Sequence, residues 1–544
     1  IDGSQTPIFS QTFGFRVYGS TTTTISGDIT EGEFTGVDFS VENMAVIEMS
    51  ESFKASLSVT PSGVEGKTTD VDFSNADLSG KHVLVVDVDS VTEASNFKIE
   101  GVDPASQSIV AGIGLELFSV GETTQTPVTS FGDGNVIVTT YIAKGLENVT
   151  VKYNGTNGGG DPTNVQYYKS TGELTFTTTH FSEFYVVADK IEAIDITHNE
   201  AVTSLVSIYP SDYNNSTIVL VDDVENFAAI YDGVSNLTID LNSHKIIGNG
   251  IAHFVFDLYR ESILQESSVS FVGKGSIVCN TPSDEVSSSV FVVRNRGVLT
   301  IGPDIVLEGP NGILIDKDSS NFHNNSGAIV NFKGTINVSE DKGFGITVNG
   351  SNSYTGDDAP DFNLDGAKIN VPNGVGIYAA GYANWNISGN TEITGYNTAI
   401  EIRAGNMTID SGTFKSTATA YSCSKNDGGA TTTGAAIAVA QHNTNLPIDV
   451  VITGTPKLSG VYGLSVTNPQ GNTKDAISNV KVTINDNVEN LYVSTDFIRE
   501  GNVIRAKTTE DDSKYVACLS TGFNFISLKD AVEAVTDSGY ITLL

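Results

Sequence analysis

Positive charge is what this sequence has least of. Its 544 residues carry 29 Lys and Arg against 65 Asp and Glu, a formal net charge of -36. That balance excludes sequence-independent attraction to nucleic acid or to an anionic membrane surface. Yet charged residues make up only 17%, below the ~25% of ordinary soluble chains, so the acidity reflects scarce cations rather than dense acidic runs, and intrinsic disorder is not expected. No run of 18 apolar residues occurs, which excludes a transmembrane helix. The three cysteines, Cys279, Cys423 and Cys518, are odd in number and far apart. They exclude a disulfide framework and a zinc knuckle and read as buried small hydrophobes. There is no charged and apolar leader at Ile1 and no Leu-Pro-x-Thr-Gly sorting signal, and the end at Leu544 falls inside an apparent strand. The chain is expected to be a processed or excised piece of a longer protein.

What is abundant points to strands. With 39% hydrophobic residues, 54 Gly and frequent Thr, Ser and Asn, the composition describes many short strands and turns, and the class is all-β. From Ile1 to about Lys190, stretches such as Lys81–Val88 and Asn135–Tyr141 alternate between Gly, Asp and Asn turns at a sandwich-like spacing. Two modules are read there, residues 1–62 and a β-sandwich at 63–190. The second closes on Gly172–Val187, read as strand, turn and strand.

The second half repeats. A strand, a Gly corner and a second strand recur at Leu299…Leu307, Val330…Val338, Phe362…Val371, Trp385…Ile393, Met407…Phe414 and Val450…Leu458. A third short strand accompanies each, as at Gly312–Ile315, Gly345–Val348 and Gly376–Ala379. Such a unit cannot bury its apolar face alone and must stack on its neighbours, which predicts a right-handed parallel β-helix over residues 191–500. Period-two alternation turns Leu299, Ile301, Phe332 and Ile387 inward and Thr300, Asn331 and Asn386 outward. Glu200–Val206 reads as a helical N-terminal cap, and Leu528–Val535 as a second one inside a C-terminal segment, 501–544, that begins a further repeat.

Two stretches carry a resemblance. Thr175–Phe184 is similar to the ending of a β-sandwich module of large bacterial cell-surface proteins, and Leu237–Gly248 resembles the opening rung of β-helices in bacterial or methanogen surface adhesins and in the pectate-lyase-like superfamily, with Ser243 where glycine is usual. The resemblance implies an extracellular, cell-surface structural or adhesive protein. Its partners would be glycans or host and cell-surface ligands, or further copies of itself, with no nucleic acid and no membrane insertion. A surface-layer or fibre subunit is the alternative, and a polysaccharide lyase or hydrolase the second alternative.

No catalytic signature supports an enzyme: there is no His-Glu-x-x-His, Gly-x-Ser-x-Gly or Walker motif, and the Asp357-Asp358 pair has neither the Gly-His-Gly nor the Arg-x-Lys of polygalacturonases in any downstream coil, since Arg505-Ala506-Lys507 falls beyond the expected helix. Glu401 with Arg403 is the one acid–base pair on an outward rung. A glycan patch is read at Tyr354, Asp358, Tyr382, Asn384 and Trp385, where aromatics one coil apart would stack beneath a sugar flanked by polar arms. The same aromatics also fit core positions. Asp361, Asn363 and Asp365, followed by Gly366, open like a calcium loop, although Pro372 stands where the loop needs Glu. Calcium is the only cofactor considered, and the solvated face of a strand explains these residues equally well.

Overall fold

The computed structural model describes residues 44–49, 56–59, 64, 67–89, 91–95, 97–120, 125–155, 159–231, 233–248, 254–258, 267–280, 289–293, 297–315, 327–339, 341–348, 359–426, 428–485, 488–536 and 539–544. It is a repetitive, mostly parallel all-β architecture whose contacts divide it into two units. Among the described residues no helix is long and apolar enough to cross a membrane.

The first unit, residues 1–204 with 217–222, holds two antiparallel sheets. One runs in the order Met44–Met49, Gly80–Asp89, Gln107–Val120, Glu183–Asp189, Thr150–Tyr153; the other runs Ser56–Val59, Thr69–Asp72, Val136–Tyr141, Glu173–Thr178, Thr163–Tyr168. Period-two alternation gives each an apolar side, and Leu84, Val86, Leu115 and Phe184 of one join Val71, Val138 and Phe176 of the other in a single core. The expected break at 62/63 falls inside this pairing, because Met44–Met49 pairs with Gly80–Val85 and Ser56–Val59 with Thr69–Asp72. Glu200–Val202, expected to be helical, is a strand paired with Ala193–Asp195; an available sheet partner outweighs a weak local helical period.

The second unit, residues 205–216 with 223–544, visits three sheets in rotation. Its first complete turns are Leu237–Asp240, Lys245–Gly248 and Phe254–Leu258, then Ser268–Val272, Gly275–Cys279 and Ser289–Val293. From there to Leu491–Val493 the strands of these three sheets pair in parallel with the equivalent strand one coil on, and the short strands Ser422–Cys423 and Thr432–Thr433 pair antiparallel with each other outside them. Register aligns like with like. Leu299, Val330, Phe362, Trp385, Met407, Val450 and Val482 form one inward column, and Ile301, Phe332, Leu364, Ile387 and Ile409 form a second. Thr300, Asn331, Asn363 and Asn386 form an outward column in which Asn363 donates to Asn331 Oδ1 at 3.0 Å. The corner after Leu237–Asp240 places Asn242 and Ser243 at φ 44° and 71°. This is the left-handed region that favours glycine, so Ser243 occupies a strained position.

The first sheet of this unit ends on a hairpin: Val480–Thr483 pairs antiparallel with Val503–Ala506, which pairs with Phe497–Glu500. The hairpin covers what would otherwise be an open parallel edge. The helix expected at 528–535 is present as Leu528–Ala534. Ile541–Leu543 pairs antiparallel with Ala517–Leu519.

Candidate functional site

The expected aromatic platform is dispersed by the coil itself. Trp385 shares its strand side with Ile387, so alternation sends it inward, where it is 2% exposed and stacks on Phe362. It is a core residue, which corrects its assignment as a ligand contact. Tyr378 is buried against Phe344, with ring centroids 4.9 Å apart. Tyr382 is half-buried, and its hydroxyl accepts from Asn406 Nδ2 at 3.0 Å. Asn384 donates to Asp361 Oδ1 at 2.9 Å and accepts from Asn406 at 3.0 Å. The result is a polar row along neighbouring coils in place of a stacking surface. Tyr354 and Asp358 lie outside the described residues.

The calcium-loop reading meets a straight strand, Asp361–Asp365. Phe362 and Leu364 point inward, 1% exposed each, and the polar residues alternate outward. Successive outward side chains on a strand are about 6.5–7 Å apart and do not converge as the ligands of a wrapped loop do. Each polar side chain is also engaged elsewhere: Asp361 with Asn384, Asn363 with Asn331, and Asp365 with Lys333 at 3.0 Å. Among the described residues no group of three or more His, Cys, Asp or Glu could hold a metal ion.

Glu401 and Arg403 do point out of their rung, but the insertion 417–434 closes over them and both are fully buried. Glu401 accepts from Thr431 N at 2.8 Å, Thr431 Oγ1 at 2.8 Å and Thr432 N at 3.0 Å. Arg403 Nη1 donates to Tyr378 Oη and Gly429 O, both at 2.8 Å, and Nη2 donates to Asn426 O at 3.1 Å. Burial pushes the Glu401 carboxyl above its ordinary range, against the pull of the Thr431 amide and Arg403. Burial likewise takes the Tyr378 hydroxyl up to about 12. This arrangement staples an insertion to the coil and leaves neither group open to solvent.

Sequence reasoning missed the tyrosines that do gather. Tyr462 and Tyr492 stack with centroids 5.1 Å apart, Tyr421 meets both at 4.8 and 5.1 Å, and Tyr540 lies 6.4 Å from Tyr492. All four are partly exposed, Tyr540 by 46%. Burial raises the hydroxyls of Tyr421, Tyr462 and Tyr540 above their ordinary range. The available signal was register: Ser465 and Tyr492 pair across adjacent coils, which places Tyr492 on the outer side beside the strand that Tyr462 begins. A further pair, Tyr209 and Tyr231, follows the parallel-paired Ile208 and Ile230 and stacks at 4.4 Å and 8°.

Comparison with family models, curated proteins and solved structures finds no match to this chain.

Proposed function

We propose that this is a cell-surface, extracellular protein with a structural and adhesive role. In this reading the first unit is a β-sandwich and the second a right-handed parallel β-helix of the pectate-lyase-like kind, and the protein binds glycans without cleaving them. The repetitive coil supports the structural part. The tyrosine cluster carries the glycan part: partly exposed phenol rings at Tyr462, Tyr492 and Tyr540 offer apolar faces to the C–H faces of a pyranose, and their hydroxyls can bond its oxygens. A net charge of -36 favours neutral over sulfated or sialylated sugars. The sealed state of Glu401 and Arg403 supports a non-catalytic reading of that pair.

A glycan array with neutral and anionic arms tests this, followed by titration of the best ligand against Tyr492→Ala and Tyr540→Ala. The expected result is a neutral glycan bound with little salt dependence and at least tenfold more weakly by each variant. Binding unchanged in both variants, or no glycan bound by the parent, overturns the glycan reading and leaves the scaffold role.

A further inference from the structure

Two tyrosines of the second unit are set side by side by register. Ser207–Ile208 pairs in parallel with Ala229–Ile230, and Tyr231 N donates to Ile208 O at 2.9 Å. Tyr209 and Tyr231 are the next residues on the two strands, and their rings stack with centroids 4.4 Å apart and planes 8° from parallel. The Tyr209 hydroxyl is bonded to that of Tyr231, and this bond is the largest cause that holds it above its ordinary range. Bonded hydroxyls bring the same end of both rings together. The Cε carbons that flank each hydroxyl therefore face one another in van der Waals contact.

The stack lies outside the core. Both rings are 44% exposed, whereas Ile208 and Ile230 beside them are fully buried and supply the packing there. Among the described residues no other two tyrosines lie as close: Tyr421 meets Tyr462 edge-on at 4.8 Å and 84°, and Tyr462 and Tyr492 are 5.1 Å apart at 29°. The strand pairing beside the stack is also short. It spans two residues on each strand, against four in the pairing of Leu237–Asp240 with Val269–Val272. A covalent link at this point would act where the main-chain bonds are fewest.

We propose that Tyr209 and Tyr231 are a modification site at which oxidation joins the two rings by a Cε–Cε bond, a dityrosine that staples the Ile208 strand to the Ile230 strand. The oxidant is hydrogen peroxide used by a haem peroxidase, and the exposure of both rings admits it. Each phenol gives up one electron and one proton, and the two electrons and two protons reduce one peroxide to two waters. The unpaired electron of each phenoxyl is shared with its Cε carbons, and one Cε of each ring couples to the other. The hydrogen left on each coupled carbon then moves to the phenolic oxygen and restores both aromatic rings, so the protein loses two hydrogen atoms in all. The new bond closes residues 209–231 into a covalent loop, which restricts the unfolded chain and stabilises the fold.

The test treats the full chain, at low protein concentration, with a haem peroxidase and hydrogen peroxide. The expected product is a monomer lighter by two hydrogens with dityrosine fluorescence, whose protease digest contains a crosslinked peptide pair holding Tyr209 and Tyr231. Its melting temperature should exceed that of the untreated chain. Tyr209→Phe and Tyr231→Phe keep both rings and remove one phenol, so each should melt like the untreated parent and give at least tenfold less intramolecular dityrosine. Unchanged yield in these variants, a link mapped to another pair such as Tyr462 and Tyr492, or products that are mainly dimers overturn the proposal. So does the absence of any link under conditions that couple free tyrosine, and so does a Tyr209–Tyr231 link that leaves the melting temperature unchanged.

Discussion

The indole of Trp385 lies flat on the ring of Phe362, centroids 3.9 Å apart and planes 6° from parallel. The contact follows from register, since the two residues pair across adjacent coils on the inward side. Trp385→Ala therefore leaves a cavity beneath Phe362 and is expected to cost about 3–5 kcal/mol. Glycan binding per folded molecule should be unchanged. Thermal melting and ligand titration on the same variant check both statements. Lost binding at unchanged melting would return Trp385 to a surface role.

Ile387 is fully buried and its neighbour Asn386 is exposed. Ile387→Asp places an unpaired charge in the coil interior and should cost several kcal/mol, on the order of 4 or more, whereas Asn386→Asp should stay within about 0.5 kcal/mol. Equal shifts in urea midpoint for the two would contradict the alternation.

How far the sequence discloses this depends on distance along the chain. The inward columns through Leu299, Ile301, Phe332 and Ile387 are readable because alternation and the Gly corner are local signals. Cys279 and Cys518 are buried as expected, whereas Cys423 is only half-buried. The aromatic patch is not readable in the same way. Tyr378, Tyr382 and Trp385 are neighbours in sequence, but Tyr378 belongs to one sheet, Trp385 opens the next, and Tyr382 lies on the turn between them. Tyr421, Tyr462, Tyr492 and Tyr540 are distant in sequence and meet only through coil stacking and the fold-back of Ile541–Leu543. The burial of Arg403 depends on where the insertion 417–434 settles, which no local pattern encodes.

Gly376 stands at an inward position where a Cβ would run into Ile393 and the Ala399 carbonyl, and Gly345 one coil earlier meets Ile369 and the Gly376 carbonyl in the same way. At these two positions the third strand is thus pressed against an isoleucine in the second strand of the next coil. Gly376→Val should overpack this contact and cost about 1–3 kcal/mol. Gly366→Ala, in open space but at φ 71°, should cost less, about 1 kcal/mol, through backbone strain alone. Denaturant midpoints that reverse this order would show that the coil has slack at Gly376.

Arg403 holds the carbonyls of Asn426 and Gly429 and the Tyr378 hydroxyl, and its charge sits beside buried Glu401. Arg403→Ala orphans these acceptors and removes the nearby cation, so a loss of about 3–5 kcal/mol is expected. Limited proteolysis should then cut first between Lys425 and Ala430. A variant that is destabilised but still protected there would mean that the insertion is held by other contacts.

Asp511 shows how acid should act on this chain. Arg505 donates to its carboxylate at 2.8 Å, and the Thr508 amide and hydroxyl add bonds at 2.8 and 2.9 Å, completing a capping box on the helix Thr509–Lys514. The Arg505 bond first, then those from Thr508, hold the carboxyl well below the usual carboxylate range despite burial. A depressed folded pKa means that the contribution is fully present above the unfolded value of ~3.9 and disappears as pH falls from there toward the folded value. Asp511→Asn should therefore lower stability by about 1–3 kcal/mol at pH 7, and its deficit against the parent should shrink steadily below about pH 4. Paired melting curves from pH 7 to pH 2 decide the matter: a deficit that stays constant across that range would mean that Asp511 acts through packing and capping geometry, with its charge contributing nothing.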